Sequence, residues 1–418
     1  MQTDKKFKKS KDGLLIGLDI GTTKVCAVVA QIEEDGQLRI VGLGSAASQG
    51  LKRGVVVNLD QTVHSISRAI QDAELMAGLK VRQVYAGIAG DHIRSLNSRG
   101  VVAVSNSENE IKSKDIQRVL EAAKSVSIPQ EREIIHVLPQ EFTVDDQKGI
   151  KDPRGMCGLR LEAEVHIVTG GTTSAQNIYK AIWQAGWEVE ELVLESLASS
   201  YSVMSSEEKE LGAVVIDLGG GTTDLAIFYD GSIRHTAVIG LGGNNVTNDL
   251  AIGLRTPVEQ AEVLKKNYGC ALAGLVDAGD IITVPGVGGR PNKEISRTVL
   301  ASIIEPRMEE IFSLAVREVK RTNLGQLLAA GVIITGGGSL LEGSVELAEQ
   351  IFDMPARLGR AQGCRGLEEV ASSPIYATGV GLVLYGLTQK NQHLSSQNGK
   401  RFSPNLVGKI KDWFNEYL

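Results

Sequence analysis

AVVIDLGGGTTDLAIF (213–228) is an apolar strand that ends in an acid, turns through glycines and two threonines, and leaves as a second apolar strand. A shorter version, GLDIGTTKVCAVV (17–29), stands roughly 200 residues earlier. Glycines admit backbone conformations closed to other residues and let phosphates approach the amides. Threonine hydroxyls add donors for phosphate oxygens. An acid at the turn, Asp19 or Asp217, suits Mg²⁺, which takes carboxylates, retained waters and substrate phosphates. One such turn is most simply a tight hairpin without a ligand. Two copies, each with an acid before the turn and Thr-Thr inside it, point to nucleotide binding. The likeness runs further, because Gly42-Leu43-Gly44 follows Asp19 at the offset at which Gly240-Leu241-Gly242 follows Asp217. A duplicated fold with two facing β-β-β openings explains this.

At 418 residues the chain exceeds the size at which one hydrophobic core keeps growing, so two or more domains are expected. An apolar content of 42% and a net charge of −6 describe an ordinary soluble protein and argue against nucleic-acid binding, which needs a basic surface. Cys26, Cys157, Cys270 and Cys364 lie far apart without a C-x-x-C, so buried reduced thiols are expected rather than disulfides or zinc. The six histidines form no H-E-x-x-H. Residues 1–13 carry five lysines and no apolar core; they read as a basic tail, not a signal peptide, with a supplementary membrane contact as the other reading. No apolar run approaches the ~20 residues that span a bilayer.

Alternation predicts strands at 14–19, 25–32 and 38–43, and Val63, Ile66, Ile70, Ala73 and Ala77 predict a helix within 58–79. The less regular stretch 85–165, with strands at 133–138 and 161–169 and a helix at 114–126, interrupts the first half like an inserted subdomain. A helix at 172–185, a strand at 188–194 and a helix at 196–206 follow. The second hairpin set occupies 211–241. Helices over 244–268 break at Pro257, 279–293 reads as a Gly/Pro-rich loop, and 295–322 as a long helix. GVIITGGGSLLEG (331–343) is a strand running into three glycines and a helix, where bare amides accept anions or flat rings. YATGVGLVLYG (376–386) has small residues at Ala377, Gly379 and Gly381 that permit close contact between the two halves.

These elements, in this order, resemble the actin/heat-shock-chaperone/sugar-kinase ATPase superfamily: phosphate 1 (17–29), connect 1 (LVLESLASSYSV, 192–203), phosphate 2 (213–228), adenosine (331–343) and connect 2 (376–386). Within it the chain resembles the bacterial cell-division FtsA family across nearly its whole length. QDAELMAG (71–78), HVLPQEF (136–142), LASSYSV (197–203), GGNNVTNDLA (242–251), GCALAG (269–274), VGGRP (287–291) and IEPRMEEI (304–311) carry the resemblance. It implies an α/β, actin-like two-lobed ATPase fold made of duplicated ribonuclease-H-like halves. Subdomain 1A would take 14–84, 166–206 and 373–387; the inserted 1C, 85–165; 2A, 207–242 and 324–372; and 2B, 243–323. It also implies a filament on the cytoplasmic face of the inner membrane at the division site, peripheral to the membrane, that holds FtsZ and recruits later division proteins through 1C. The competing readings are a PilM-like type IV pilus assembly protein, a sugar-kinase-like phosphotransferase, and an actin-like filament former without a membrane tail.

Carried over position by position, the resemblance gives Gly21, Thr22, Thr23 and Lys24 the β- and γ-phosphates of ATP, with Gly219, Gly220, Gly221, Thr222 and Thr223 gripping from the other lobe. Asp19 and Asp217 would hold Mg²⁺ through its waters. Adenine and ribose would lie among Gly336, Gly337, Gly338 and the helix VEQAEVLKKNYG (258–269). There Glu262 and Lys265 share a face as a ribose-facing pair or as a solvated ion pair. Gly243 and Asn244 would line the phosphate end. Glu195 matches a water-orienting carboxylate of the superfamily. Two intact grips without a decisive catalytic set predict ATP as a structural ligand with slow or no turnover. Arg290, Lys293, Arg297 and Arg307 concentrate charge in 286–310. The resemblance makes this surface, with Glu310, the receiver of the C-terminal peptide of FtsZ, whereas composition alone reads it as a solvated face.

Residues 388–404 are polar and end in Pro404, predicting a flexible linker. In NLVGKIKDWFNEYL (405–418), Leu406, Val407, Ile410, Trp413, Phe414, Tyr417 and Leu418 fall within an arc of about 140° at helical spacing. Fourteen residues cannot span a bilayer but can lie in its interface, with Trp413 and Tyr417 at the headgroup boundary. Docking of this helix on its own globular body is the other reading.

Overall fold

The computed structural model describes residues 13–105 and 108–397, the last six by backbone alone. The basic N-terminal residues 1–12, the end of the linker and the amphipathic segment 405–418, with its seven apolar positions, lie outside the described residues.

The chain opens with an antiparallel meander, β1 (Leu14–Ile20), β2 (Lys24–Ile32) and β3 (Leu38–Ala47). β1 and β2 are apolar on both faces because helices cover both sides, as parallel α/β sheets require. A small hairpin, β4 (Leu51–Lys52) and β5 (Val55–Val56), leads into α1 (Leu59–Ala77). The Asn58 side chain accepts from the Gln61 amide at 3.1 Å, and Gly78 ends the helix in the left-handed conformation. Ile66, Ile70 and Ala73 of α1 are buried against β3, where a Cβ on Gly42 or Gly44 would strike the helix backbone. β6 (Gln83–Ile88) then pairs parallel with β1.

The insertion follows as β7 (Arg94–Ala103), α2 (Ser113–Lys124), β8 (Arg132–Val144), β9 (Gln147–Ile150) and β10 (Arg160–Gly171), a sheet ordered β7-β10-β8-β9 with its own core. Its edges fall later than the sequence suggests at both ends. Residues 85–88 belong to β6, hydrogen-bonded within the first lobe, and β10 runs on to Gly171. The chain returns through α3 (Thr172–Gln184), β11 (Glu188–Leu194), α4 (Glu195–Val203) and α5 (Ser206–Leu211). The single helix expected at 196–206 is two, because the Ser205 hydroxyl and the Glu208 carboxylate form a capping box that restarts the backbone.

The second lobe repeats the first: β12 (Ala213–Leu218), β13 (Thr223–Tyr229) and β14 (Ser232–Ile239) form the meander. α6 (Gly243–Leu254) and α7 (Val258–Tyr268) come next. The expected loop at 279–293 contains part of a hairpin, β15 (Ile281–Val284) with β16 (Lys293–Ser296). Ile282 and Val284 are buried in alternation, a period too short to stand out among the glycines. α8 (Arg297–Arg321), β17 (Gly331–Thr335), α9 (Ser344–Phe352) and β18 (Ala356–Leu358) complete the lobe. The strand orders β3-β2-β1-β6-β11 and β14-β13-β12-β17-β18 match position for position, so the duplication read from the two hairpins extends through five strands.

β19 (Cys364–Arg365) pairs with β3, placing residues assigned by sequence to the second half on the sheet of the first. After α10 (Glu368–Ala371), α11 (Ala377–Gln397) packs on α4 and β1, so the small residues expected to join the two halves close instead within the first lobe, and Thr378 reaches Asp217 of the second. It continues about three turns into the predicted linker. Residues 387–397 contain no Gly or Pro to interrupt the extension, and Lys390 Nζ donates to the Leu14 carbonyl at 3.2 Å. Cys26 and Cys270 are buried thiols as expected, but Cys157 is exposed, on a segment of the insertion outside its named strands. Among the described residues no helix is long and apolar enough to cross a membrane.

Candidate functional site

The two glycine-threonine turns meet across the cleft. The Gly21 amide closes the first on the Lys24 carbonyl at 3.0 Å, and the Gly219 amide closes the second on the Asp217 carbonyl at 3.2 Å. A Cβ on Gly220 would overlap the Thr23 hydroxyl, and one on Gly221 would stand 2.5 Å from the Thr22 hydroxyl. Only glycine lets the turns approach this closely. Thr222 donates to Asp224 Oδ2 at 2.9 Å, and Thr223 to the Leu241 carbonyl at 2.9 Å, so these hydroxyls build the turn. The amides of Gly243 and Asn244 donate to the carbonyls of Gly219 and Gly220 at 2.9 and 2.8 Å. They brace the second turn from the start of α6. Gly240 and Gly242 therefore do different work from Gly42 and Gly44: they admit Asp91 and the second turn rather than a helix.

Four carboxylates surround the turns. Asp19 and Asp217 stand next to last in β1 and β12, Asp224 lies on β13, and Glu195 opens α4 with its Oε1 against Gly87. Burial pushes Asp19 up to about 6, with Lys24 opposing and Asp217 adding. Burial and the Asp217 charge push Asp224 up to about 8, and burial with the aspartates raises Glu195 well above its ordinary range. Asp224 Oδ1 is buried with no hydrogen-bond partner. Such a cluster calls for protons or a cation. Lys24 Nζ donates to the Ile375 carbonyl at 2.6 Å and stands 4.3 Å over the Tyr376 ring. Asp217 Oδ2 accepts from Ser199 of α4 at 2.6 Å and from Thr378 of α11 at 3.0 Å. Neither hydroxyl was singled out by sequence, although both lie in small-residue stretches, LASS and ATG.

A family model described as Cell division protein FtsA matches residues 214–381, and one described as SHS2 domain inserted in FTSA matches residues 90–169. A Cell division protein FtsA of Pseudomonas aeruginosa is 49% identical over 406 residues, covering 96% of this chain and 97% of its own. The chain belongs to the FtsA family. That of Escherichia coli K12 is 41% identical, covering 94% of each chain, and that of Bacillus subtilis 38%, covering 89% and 83%. As a member of the FtsA family this is a cell division protein. Two solved structures show the same fold. One is the PilM-PilN type IV pilus biogenesis complex, with a TM-score of 0.66 and 17% identity over 89% of this chain and 98% of that one. The other is MreB5 of Spiroplasma citri bound to ADP, with 0.56 and 16% over 91% and 98%. The fold is the actin-like two-lobed one, and the SHS2 match coincides with the insertion.

In this FtsA-family chain the glycines after β17 divide by role. Gly336, at φ 81°, and Gly338 lie on Asp217 and Leu218, where a Cβ would clash, whereas Gly337 is exposed with open space before it. Glu262 and Lys265 pair at 2.7 Å. Lys265 also donates to Thr247 Oγ1 at 2.8 Å and to the Gly243 carbonyl at 3.0 Å, tying α7 to α6 beside the second turn. On the outer surface, Arg307 Nε pairs with Asp249 at 2.6 Å and Arg307 Nη1 with Glu310. Arg297 donates to the Tyr268 carbonyl at 2.7 Å and pairs with Glu342, so it ties the start of α8, just after the β15–β16 hairpin, to the end of α7. Arg290 and Lys293 are exposed on that hairpin.

Proposed function

We propose that this chain binds ATP with Mg²⁺ between its lobes, assembles into filaments, and holds FtsZ filaments at the inner face of the cytoplasmic membrane while recruiting later division proteins. The observation that carries the nucleotide reading is the meeting of two glycine-threonine turns amid three buried carboxylates and the half-buried Glu195. The residues fit the group: Asp224 Oδ1 lacks a partner, Gly337 faces open space, and the carboxylates are held up in pKa. Gly21 to Lys24 and Gly219 to Thr223 would hold the phosphates. Asp19 and Asp217 would hold the ion through its waters, with Gly336 to Gly338, Glu262 and Lys265 on the nucleoside side. Bound Mg²⁺ would offset the charge of the phosphates. Ser199 and Thr378 fix the Asp217 carboxylate from helices of the other lobe, so nucleotide would stabilise the closed pair of lobes. Glu195 would be the residue that orients water, and burial with the neighbouring aspartates favours its protonated form relative to a free glutamate. Two grips without a further catalytic set lead us to expect slow turnover, which steady ADP release above about one per second, the low end of ordinary turnover, would contradict.

The membrane reading rests on the amphipathic sequence of 405–418. At ~1 kcal/mol or so per partly buried apolar residue, minus ordering costs, one tail binds weakly, and filaments multiply it. Calorimetry with a non-hydrolysable ATP analogue tests the first reading. Pelleting with anionic liposomes tests the second. FtsZ should join the pellet only when this protein is present, and removal of 405–418 should leave both in the supernatant with nucleotide binding intact. A pellet unchanged by that removal would move the membrane contact elsewhere.

A further inference from the structure

The β4–β5 hairpin turns on Arg53-Gly54, both left-handed, with φ of 50° and 74°. Two left-handed residues suit the twist of a two-residue hairpin, but Asn-Gly is the usual pair and arginine is an uncommon occupant of the first place. The tip is wedged at the site. The Gly54 amide donates to the Thr22 hydroxyl at 3.1 Å, the same hydroxyl that faces Gly221 of the second lobe. A Cβ on Gly54 would stand 2.6 Å from the Ala89 carbonyl, and one on Gly90 would stand 2.9 Å from the Arg53 carbonyl. The backbone position of Arg53 is therefore fixed one residue from a contact to the first phosphate turn.

Its side chain is free to choose. The guanidinium is about half exposed and only 3.7 Å from the equally exposed Asp91, a pairing of little net worth. Asp91 in turn presses on Gly240 of the second lobe, with Oδ1 2.5 Å from where a Cβ would sit. Lys24, the other cation at the first turn, is engaged with Ile375. We propose that Arg53 is a terminal-phosphate sensor: it takes the outermost phosphate of a nucleoside triphosphate held between the turns and releases Asp91 to do so. The proposal rests on the nucleotide reading above. A guanidinium presents a planar fork to two phosphate oxygens, and a strained position at a binding site is where such a group is placed. Because Asp91 touches Gly240 and opens the insertion, the exchange reports the terminal phosphate to both.

The test compares binding of a non-hydrolysable ATP analogue and of ADP, each with Mg²⁺, to the full chain and to its Arg53→Asn and Arg53→Lys variants. Asparagine suits the turn better than arginine, so Arg53→Asn should melt no lower than the parent without nucleotide. It should lose about 10- to 100-fold in affinity for the triphosphate, the range of a charged hydrogen bond. ADP should change less than about twofold, and Arg53→Lys should fall between. Equal losses for both nucleotides, or none for either, would overturn the sensor. A parent chain that binds neither nucleotide would instead overturn the nucleotide reading, and the sensor with it.

Discussion

Asp224 shows what one buried carboxylate does to the pH dependence of the whole. Unfolded, it ionises near 3.8; folded, burial and Asp217 let it keep its proton to about 8. The folded state binds more protons across that window, so the contribution of Asp224 to stability falls as pH rises through it. Without nucleotide, Asp224→Asn should gain on the parent between pH 5 and 8, by at most about 1.4 kcal/mol per pH unit. Thermal melts of both across that range check this; parallel curves would remove Asp224 from the account. Buried neutral His136 and His166, lowered to about 4 and about 3, act at the acid end and cancel in the comparison. At the surface, Arg307→Glu would face Asp249 and Glu310 with a third like charge. If this surface receives the FtsZ C-terminal peptide as proposed, its capture should weaken about tenfold or more with nucleotide affinity unchanged. Equal capture in co-sedimentation would take Arg307 out of the peptide site. Asp19 and Asp217 were legible because each stands next to last in an apolar strand at a glycine turn. Ser199 and Thr378 were not, because a hydroxyl finds its carboxylate only after three elements have packed.

Among elements, α11 depends most on what its residues lack. A Cβ on Gly381 would overlap the Ala198 carbonyl of α4, and one on Gly17 of β1 would overlap the Gly379 carbonyl. Gly381→Ala should therefore cost about 1–3 kcal/mol by overpacking. Gly274→Ala, with nothing within 4 Å, should stay within about 0.5 kcal/mol. Denaturant unfolding of both measures the difference, and equal costs would show that α4 and α11 can separate without loss. The small-residue run at 376–386 was readable as a close contact because helices approach only where side chains are small, but the sequence did not say that its partners lie in the first lobe rather than across the two halves. Its extension to Gln397 was not readable, since Gln, Lys and Asn suit a linker and an exposed helix alike. The β15–β16 hairpin escaped for a related reason: two-residue alternation is too brief a signal beside glycines and prolines.

For the whole molecule, nucleotide at a hundredfold excess over its dissociation constant should add about 2.7 kcal/mol to the stability of the folded chain. A melting temperature that does not respond to nucleotide would contradict the proposed site. The duplication was readable from two hairpins with equal offsets. The borders of the insertion were not, because β6 and β10 are apolar strands whichever sheet receives them. What the insertion does to its neighbour emerges only in three dimensions. Gln140 and Asn97 donate to the Arg234 carbonyl, Gln140 also to that of Ile233, and Ser95 to that of Thr236, all on β14. His166 meets the Thr236 hydroxyl at 2.9 Å. β14 is the outermost strand of its sheet, and β18 at the other margin has three residues. An outermost strand with open carbonyls is a template on which a second chain can continue the sheet. Here those carbonyls are already answered by side chains, and the opposite margin is too short to serve. Copies of this chain that stack would therefore not continue this sheet, leaving it the private property of its own molecule.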